Sequence, residues 1–437
     1  MWPRGFRISG VTLTVVAAMV CAADLSLAEE DVNKIIERLE RISEEQKKAL
    51  EGQSRMIEKL RQRIDQMENR ATTELKENLT APPNSGDLVK SEFVHTNRAK
   101  GRLTISGQIN RAINVADDGD DTKAYFIDND ASNSRIRADG EIELPNSALL
   151  GTNFELAFSP NNSYDVSQES ESSDDFTDVR KVDVYLHSNQ LGKLSFGKGS
   201  AATDGTAEND LSLIGSIMYS GVADVVGGLF FQDNAGSSAI TVGDAFFNFD
   251  GGRQNRIRYD TPMLGDLVQV SVSAGEDQKY DAAISWGGDF DNWTGVTIGP
   301  LTTLGAVGIQ DPSDPDIDYR LTGSFSVIHD PTGLSLTLSG GADDRDGSDP
   351  YNVYSRLAWD TALSDVGPTS VGIDWTYNED TVEEGSKGTS VGLAALQSFD
   401  GFGAEIYGAI RLFDFERGDG DDPDNVYVGT VGTRVKF

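Results

Sequence analysis

The stretch Arg102-Leu103-Thr104-Ile105-Ser106-Gly107-Gln108-Ile109-Asn110-Arg111-Ala112-Ile113-Asn114-Val115 decides the fold class. Leu103, Ile105, Gly107, Ile109, Ile113 and Val115 alternate with Arg102, Thr104, Ser106, Gln108, Asn110 and Asn114, and Arg111 is the one exception on the apolar side. Successive side chains of an extended strand point to opposite faces, so this spacing makes one apolar face and one polar face. The run exceeds the roughly five to six residues usual for strands of soluble domains and suits a strand that crosses a bilayer.

The same period recurs toward the end of the chain. Val182, Val184 and Leu186 alternate with Lys181, Asp183, Tyr185 and His187, and Val268, Val270 and Val272 alternate with Gln269, Ser271 and Ser273. Tyr319, Leu321, Phe325 and Val327 do so with Arg320, Thr322, Ser324 and Ser326, and Val371, Ile373, Trp375 and Tyr377 with Ser370, Asp374, Thr376 and Asn378.

Alternation alone leaves a soluble sandwich open, because there the apolar face is simply the buried one. Three further features favour a barrel in lipid. Tight connections (Ser188 to Gly192, Asp330 to Gly333, Asp400 to Gly403) alternate with long acidic ones (Ala116 to Asn133, Pro160 to Asp178, Gly341 to Pro350, Glu416 to Asp424), as short turns on one rim and long loops on the other would. Tyr280, Trp286, Tyr351, Trp359, Trp375, Tyr377 and Tyr427 sit near strand ends on the apolar parity, which suits aromatic girdles at the two interfaces. Finally, Tyr427, Val431, Val435 and Phe437 share one face of a last strand that carries Arg434 and Lys436 on the other, and a strand ending in Phe resembles the signal read by the outer-membrane barrel assembly machinery.

Composition agrees. The 437 residues hold 71 Asp and Glu against 37 Lys and Arg, and after the first 20 positions no apolar run approaches the about 20 residues that a spanning helix needs. The net charge of −34 argues against a nucleic-acid partner and is assigned to exposed loops. Residues 1–28 read as a signal peptide, with Arg4 and Arg7 ahead of an apolar stretch from Val11 to Val20 and Ser26-Leu27-Ala28 as the cleavage site. The single Cys21 falls inside it, so stability beyond it must come from burial and backbone pairing, without disulfides.

Residues 29–78 have a different period. With Ile36, Ser43, Leu50, Ile57 and Ile64 at heptad position a, Val32, Leu39, Gln46, Gln53, Leu60 and Met67 fall at d, which predicts a periplasmic α-helical coiled coil. One helix cannot bury such a seam alone, so the pattern implies partner copies; a homotrimer is preferred, although a seam interrupted by Ser43, Gln46 and Gln53 does not fix the number. Residues 79–100, with Pro82-Pro83-Asn84-Ser85-Gly86, read as a linker.

From Gly101 to Phe437 the chain resembles the Gram-negative porin superfamily. Ser134-Arg135-Ile136-Arg137-Ala138-Asp139-Gly140-Glu141 with Leu149 to Leu156 is similar to that family's second strand, turn and third strand. Val179-Arg180-Lys181 through Gly192-Lys193-Leu194-Ser195-Phe196-Gly197-Lys198 resembles the hairpin leading into its third loop, and Arg253-Gln254-Asn255-Arg256-Ile257-Arg258-Tyr259-Asp260-Thr261-Pro262 the strand after it. The coiled coil and the length of residues 199–252 depart from ordinary general porins.

The resemblance implies a third loop folded into the barrel, its acids facing a basic ladder on the wall. The acids would be Asp204, Glu208, Asp210 and Asp224, and the wall cations Arg135, Arg137, Arg180, Lys181, Arg256 and Arg258, with the strand phase of Arg180 left open. Opposed charges across a narrow aqueous gap order water and set which solutes pass. Catalysis finds no support: the histidines are His95, His187 and His329, and no Gly-rich phosphate loop precedes a helix. No cofactor or metal site is expected; the acidic runs Asp117 to Asp121 and Asp419 to Asp424 lack the closing Glu of an EF-hand.

The sequence therefore predicts an all-β transmembrane antiparallel barrel of about sixteen strands in the outer membrane, in contact with its lipid. Eighteen strands stay open, because residues 213–249 parse either as loop or as strands. The expected function is passive diffusion of ions and small hydrophilic solutes. A selective carboxylate or phosphate channel and a tether reaching the cell wall through the coiled coil are the alternatives.

Overall fold

The computed structural model describes residues 101–437 apart from 174–176, 234–235, 291–299, 346 and 419. The expected signal peptide, coiled coil and linker lie outside the described residues.

The strands are β1 (Gly101–Asp117), β2 (Thr122–Asp128), β3 (Arg135–Glu143), β4 (Leu149–Phe158), β5 (Thr177–Ser188), β6 (Gly192–Ser200), β7 (Phe230–Asp233), β8 (Gly236–Thr241), β9 (Arg253–Asp260), β10 (Val268–Gly275), β11 (Tyr280–Phe290), β12 (Leu301–Asp311), β13 (Ile317–His329), β14 (Leu334–Arg345), β15 (Tyr351–Ser364), β16 (Gly367–Glu379), β17 (Lys387–Phe399), β18 (Ala404–Glu416) and β19 (Val426–Lys436). All but the β7–β8 hairpin join one antiparallel sheet of 17 strands. Both β2 and β3 pair with the same edge of β1, over Arg111–Asp117 and Gly101–Gln108 respectively, so they share one position and the barrel has sixteen. Residues 213–249 add no wall strand, which resolves the count.

Closure comes from β1 meeting β19, with Ile113 opposite Val431 and Asn114 opposite Thr430. Gly107 and Phe437 exchange both backbone hydrogen bonds, at 2.8 and 3.0 Å. The Phe437 ring lies over Gly107 so closely that a Cβ there would come within 2.7 Å of it, which is why glycine occupies this position.

The two faces separate as the alternation predicts. Ile373 is 51% exposed on the outside while its neighbour Asp374 is 2% exposed within. Arg111, the exception in the first strand, stays on the outer face and donates to the Pro160 carbonyl at 2.7 Å, 3.7 Å from the Asp128 carboxylate. Aromatic residues gather near the rims: Trp375 stacks on Tyr377, and Trp359 Nε1 donates to the Thr332 carbonyl at 2.9 Å.

Two of the long acidic loops are shorter than the sequence suggests. Within Ala116 to Asn133 lies β2, leaving a turn at Asp118 to Asp121 in which Asp118 Oδ1 accepts from the Asp120 and Asp121 N–H groups at 3.1 and 2.9 Å. Likewise β14 continues to Arg345 inside Gly341 to Pro350. Local carboxylate turns, rather than open loops, absorb that acidity.

The stretch between β6 and β9 is the third loop, and it carries an apolar core of its own. Ile214, Met218, Leu229, Phe231, Val242 and Phe246 are buried against inward-facing Tyr354, Leu396, Phe413, Phe415 and Val428 of β15 to β19. Phe231 lies 5.4 Å from Phe415 and Phe246 5.1 Å from Phe413, ring centre to centre. A one-turn helix, α1 (Val242–Ala245), begins at Thr241, whose hydroxyl accepts from the Asp244 N–H at 3.1 Å. Beside this seat, two residues along β15 from Tyr354, the Arg356 guanidinium binds Asp210 and the Met218 carbonyl and donates to Thr337 Oγ1 at 3.1 Å.

Truncating a ring in this seat, Phe246→Ala, removes about 3–5 kcal/mol of packing. The expected result is greater open-channel current noise than in the parent protein, with the heat-resistant electrophoretic mobility of the barrel unchanged; quiet channels would show that the loop is held by its ends alone.

Candidate functional site

A β-bulge builds one side of the site. Glu155 of β4 stands opposite Lys181 of β5 and the next residue, Leu156, stands opposite Val179, so Arg180 is the extra residue. A bulge turns two successive side chains toward one face. Arg180 and Lys181 are accordingly both partly buried inside while Val179 and Val182 face outward, which settles the strand phase of Arg180.

Glu155 sits at the centre, 1% exposed. Its cross-strand partner Arg137 donates through Nε at 2.9 Å and again through Nη2, Arg180 Nε donates at 2.6 Å, and Arg135 Nη1 lies 3.6 Å away. Among the described residues one carboxylate thus answers three guanidiniums with Lys181 beside it, so positive charge is in excess around Glu155.

The third loop supplies the facing groups. Asp204 lies 4.0 Å from Arg253, at the start of β9. Glu208 accepts weakly from Asn248 Nδ2 at 3.4 Å, and burial, with the neighbouring Asp204 charge, pushes its carboxyl up to about 7. Asp250 caps the loop by accepting from the Gly205 and Ala207 N–H groups at 2.6 and 2.7 Å; burial and the Glu208 charge hold it well above the usual carboxylate range. Asp224 bonds the Tyr219 hydroxyl, and burial together with Asp130 raises it likewise. The Arg180 charge favours the ionised forms of Glu208 and Asp224 and partly offsets the effect of burial on each.

The remaining predicted residues lie elsewhere. Arg256 donates to Asp183 Oδ2 at 2.7 Å, the Ser200 carbonyl at 2.9 Å and the Gly197 carbonyl at 3.0 Å. Arg258 donates to Asp260 at 2.9 Å and the Ala201 carbonyl at 2.6 Å. Both therefore hold the root of the third loop, while Asp210 is taken by Arg356 on the far wall. Phe437 lies at the closing seam. Sequence reasoning missed Glu155, Arg253 and Asp250. The inward parity of Glu155 after outward Phe154 was available, but its position opposite Arg137 needs the register.

Comparison with known proteins supports the architecture independently. A family model for Gram-negative porins matches residues 94–418. Among solved structures, the anion-selective porin of Comamonas acidovorans is similar at 14% identity, covering 77% of this chain and 100% of that one with a TM-score of 0.53. OprB of Pseudomonas putida follows at 11% identity, 77% and 94% coverage and a TM-score of 0.52. In-vitro folded OmpT of Vibrio cholerae, an outer membrane protein, gives 15% identity, 77% and 98% coverage and a TM-score of 0.50. At these identities the likeness is one of fold. A comparison with curated proteins finds no match. A closed sheet with a lipid-compatible outside and an inward-folded charged loop, matched over most of its length by that family model, places this chain in the Gram-negative porin family, as an outer-membrane diffusion channel.

Proposed function

We propose that the channel passes small anions in preference to cations. One observation carries this reading: Arg135, Arg137, Arg180, Lys181 and Arg253 converge on the gap, while among the described residues ion pairing there is limited to Glu155 and Asp204. Burial and neighbouring negative charge favour the neutral acid in Asp224 and Asp250, and leave Glu208, with its carboxyl at about 7, only partly ionised near neutral pH. A narrow water-filled gap with one sign of charge in excess concentrates the opposite ion, whatever the charge of distant loops. The negative total of −34 thus does not set the sign at the constriction. In this reading Arg256, Arg258 and Asp210 position the loop and do not face the solute.

The pH dependence has a definite sign. Glu208, with a carboxyl pushed up to about 7, gains a proton as pH falls through that value and adds a negative charge to the gap as pH rises. Anion preference is therefore expected to weaken between pH 6 and 8; one charge about 10 Å from the path, in water at low salt, is worth roughly a factor of two for each ion and so about fourfold in permeability ratio. Reversal potentials in a KCl gradient measure it, and Glu208→Gln should flatten this part of the profile. A preference that does not move with pH in either protein refutes the role of Glu208.

Glu155→Gln keeps the size of the side chain but frees three guanidiniums from their shared carboxylate. The same recordings should show a stronger anion preference, by about two- to fivefold at low salt. A folded variant with an unchanged or reversed preference would remove the basic wall from the account.

We infer further that residues 1–28 are removed on export, that Phe437 marks the chain for the barrel assembly machinery, and that the protein is a homotrimer whose 29–78 segments associate in the periplasm. The heptad seam supports the last point. Deleting residues 29–78 is expected to shift the oligomer toward monomer in mild detergent; a trimer that persists, combined with loss of envelope attachment, would favour the tether to the cell wall.

A further inference from the structure

A polar cavity of about 270 Å³ lies where the third loop returns to the wall, between its last residues and the upper parts of β11, β12 and β13. Its charged lining is Arg253, Lys279 and Arg320 with Asp250, Asp281 and Asp311, and Gln310 stands beside them. This volume falls below the roughly 300–1,000 Å³ of pockets for drug-sized ligands and suits a smaller solute.

Its polar groups are unevenly satisfied. Asp281, at the same wall, accepts from the Thr203 hydroxyl at 2.9 Å and from Ser273, and Asp311 accepts from the Ser313 N–H at 2.9 Å. The Thr203 hydroxyl also lies 3.3 Å from Gln310 Oε1, but its single proton serves Asp281, and Gln310 Nε2 is buried without a partner. Whichever way the Gln310 amide is turned, one of its polar atoms remains open, and an unpaired buried polar atom costs about 1–3 kcal/mol. A small turn of the Gln310 side chain toward the cavity it lines would bring the open atom to a solute hydroxyl, which as both donor and acceptor pairs with either orientation.

Three cations (Arg253, Lys279, Arg320) face three carboxylates (Asp250, Asp281, Asp311), but each acid is taken up by hydroxyl or backbone N–H donors, whereas the cations are loosely paired. Arg320 binds Asp343 through two nitrogens at 2.5 and 2.9 Å, but Arg345 shares that carboxylate at 2.7 Å, leaving two guanidiniums on one anion. The face of Arg320 packs over Phe247, 4.8 Å from the ring centre, which fixes its position. Arg253 has only the 4.0 Å contact with Asp204, and Lys279 has no ion pair among the described residues.

We propose that this cavity is a binding subsite for a small hydroxylated organic anion, such as a sugar acid or hydroxycarboxylate, held before it enters the constriction. Its carboxylate meets Lys279 and Arg253, and a hydroxyl meets the Gln310 amide. The inference rests on the anion-preferring reading of the constriction and adds a solute class to it. Occupancy retards the solute and impedes smaller ions that share the path.

The test uses the full-length protein purified from membranes and reconstituted in planar bilayers carrying chloride current, with sodium gluconate, sodium acetate or glucose added. Gluconate is expected to reduce the current saturably, and about tenfold higher concentration of acetate or glucose should be needed for the same effect, since each lacks one of the two recognised groups. Lys279→Gln and Gln310→Leu should each weaken gluconate block about three- to tenfold and leave the open-channel conductance in chloride nearly unchanged. Equal block by all three solutes, or gluconate block untouched in both variants, overturns the subsite. Reversal potentials recorded without additive report separately on the constriction, so a cation-preferring channel would count against the proposed selectivity, whereas an anion-preferring channel without gluconate block would count against the subsite alone.

Discussion

Peptide groups in hydrocarbon have no water to bond, so a sheet that crosses a bilayer must pair every N–H and C=O within itself. Here that requirement is met by the seam of β1 with β19, and the rest of the molecule follows from it. A closed ring of strands leaves two surfaces, and alternation sends one set of side chains to each. The outer set becomes a lipid-facing belt of Ile, Val, Leu and aromatic residues. The inner set, rich in Ser, Thr, Asn and charged groups, must solve its own pairing problem in a confined space.

That inner problem has two solutions. On part of the wall, charges cancel locally: Arg411 binds Asp374, and Arg256 binds Asp183. On another part the inward positions are apolar, and the third loop covers them with its own apolar residues. Where neither applies, at Glu155 and around Arg253, charge remains unbalanced. The proposed selectivity lies there because an unbalanced group in a wet passage acts on whatever moves through it.

Much of this was legible as a pattern of period two. Outward parity of Ile109, Ile113, Ile373 and Trp375 and inward parity of Asn114 and Asp374 need no knowledge of partners. What the chain conceals are departures from the period. The bulge at Arg180 leaves no local mark, and the division of one stave into β2 and β3 is set by Asp128, which accepts from the Ser134 N–H at 2.8 Å across a short turn. The apolar stretches of residues 213–249 were ambiguous because their partners, such as Phe413 and Leu396, lie well over a hundred residues away. Arg256 and Arg258 had the right parity for a pore-facing role, yet parity does not reveal that the carbonyls of Ser200 and Ala201 take up their donors.

The seating of the third loop also separates two dimensions that a bare cylinder would tie together. Strand number fixes the circumference, and through it the surface offered to lipid. The aperture, in contrast, depends on how much of the bore the seated loop occupies. Lengthening, shortening or repacking that insert can alter which solutes fit while the staves and their outward contacts stay as they are, so the sieve is free to diverge faster than the frame that carries it.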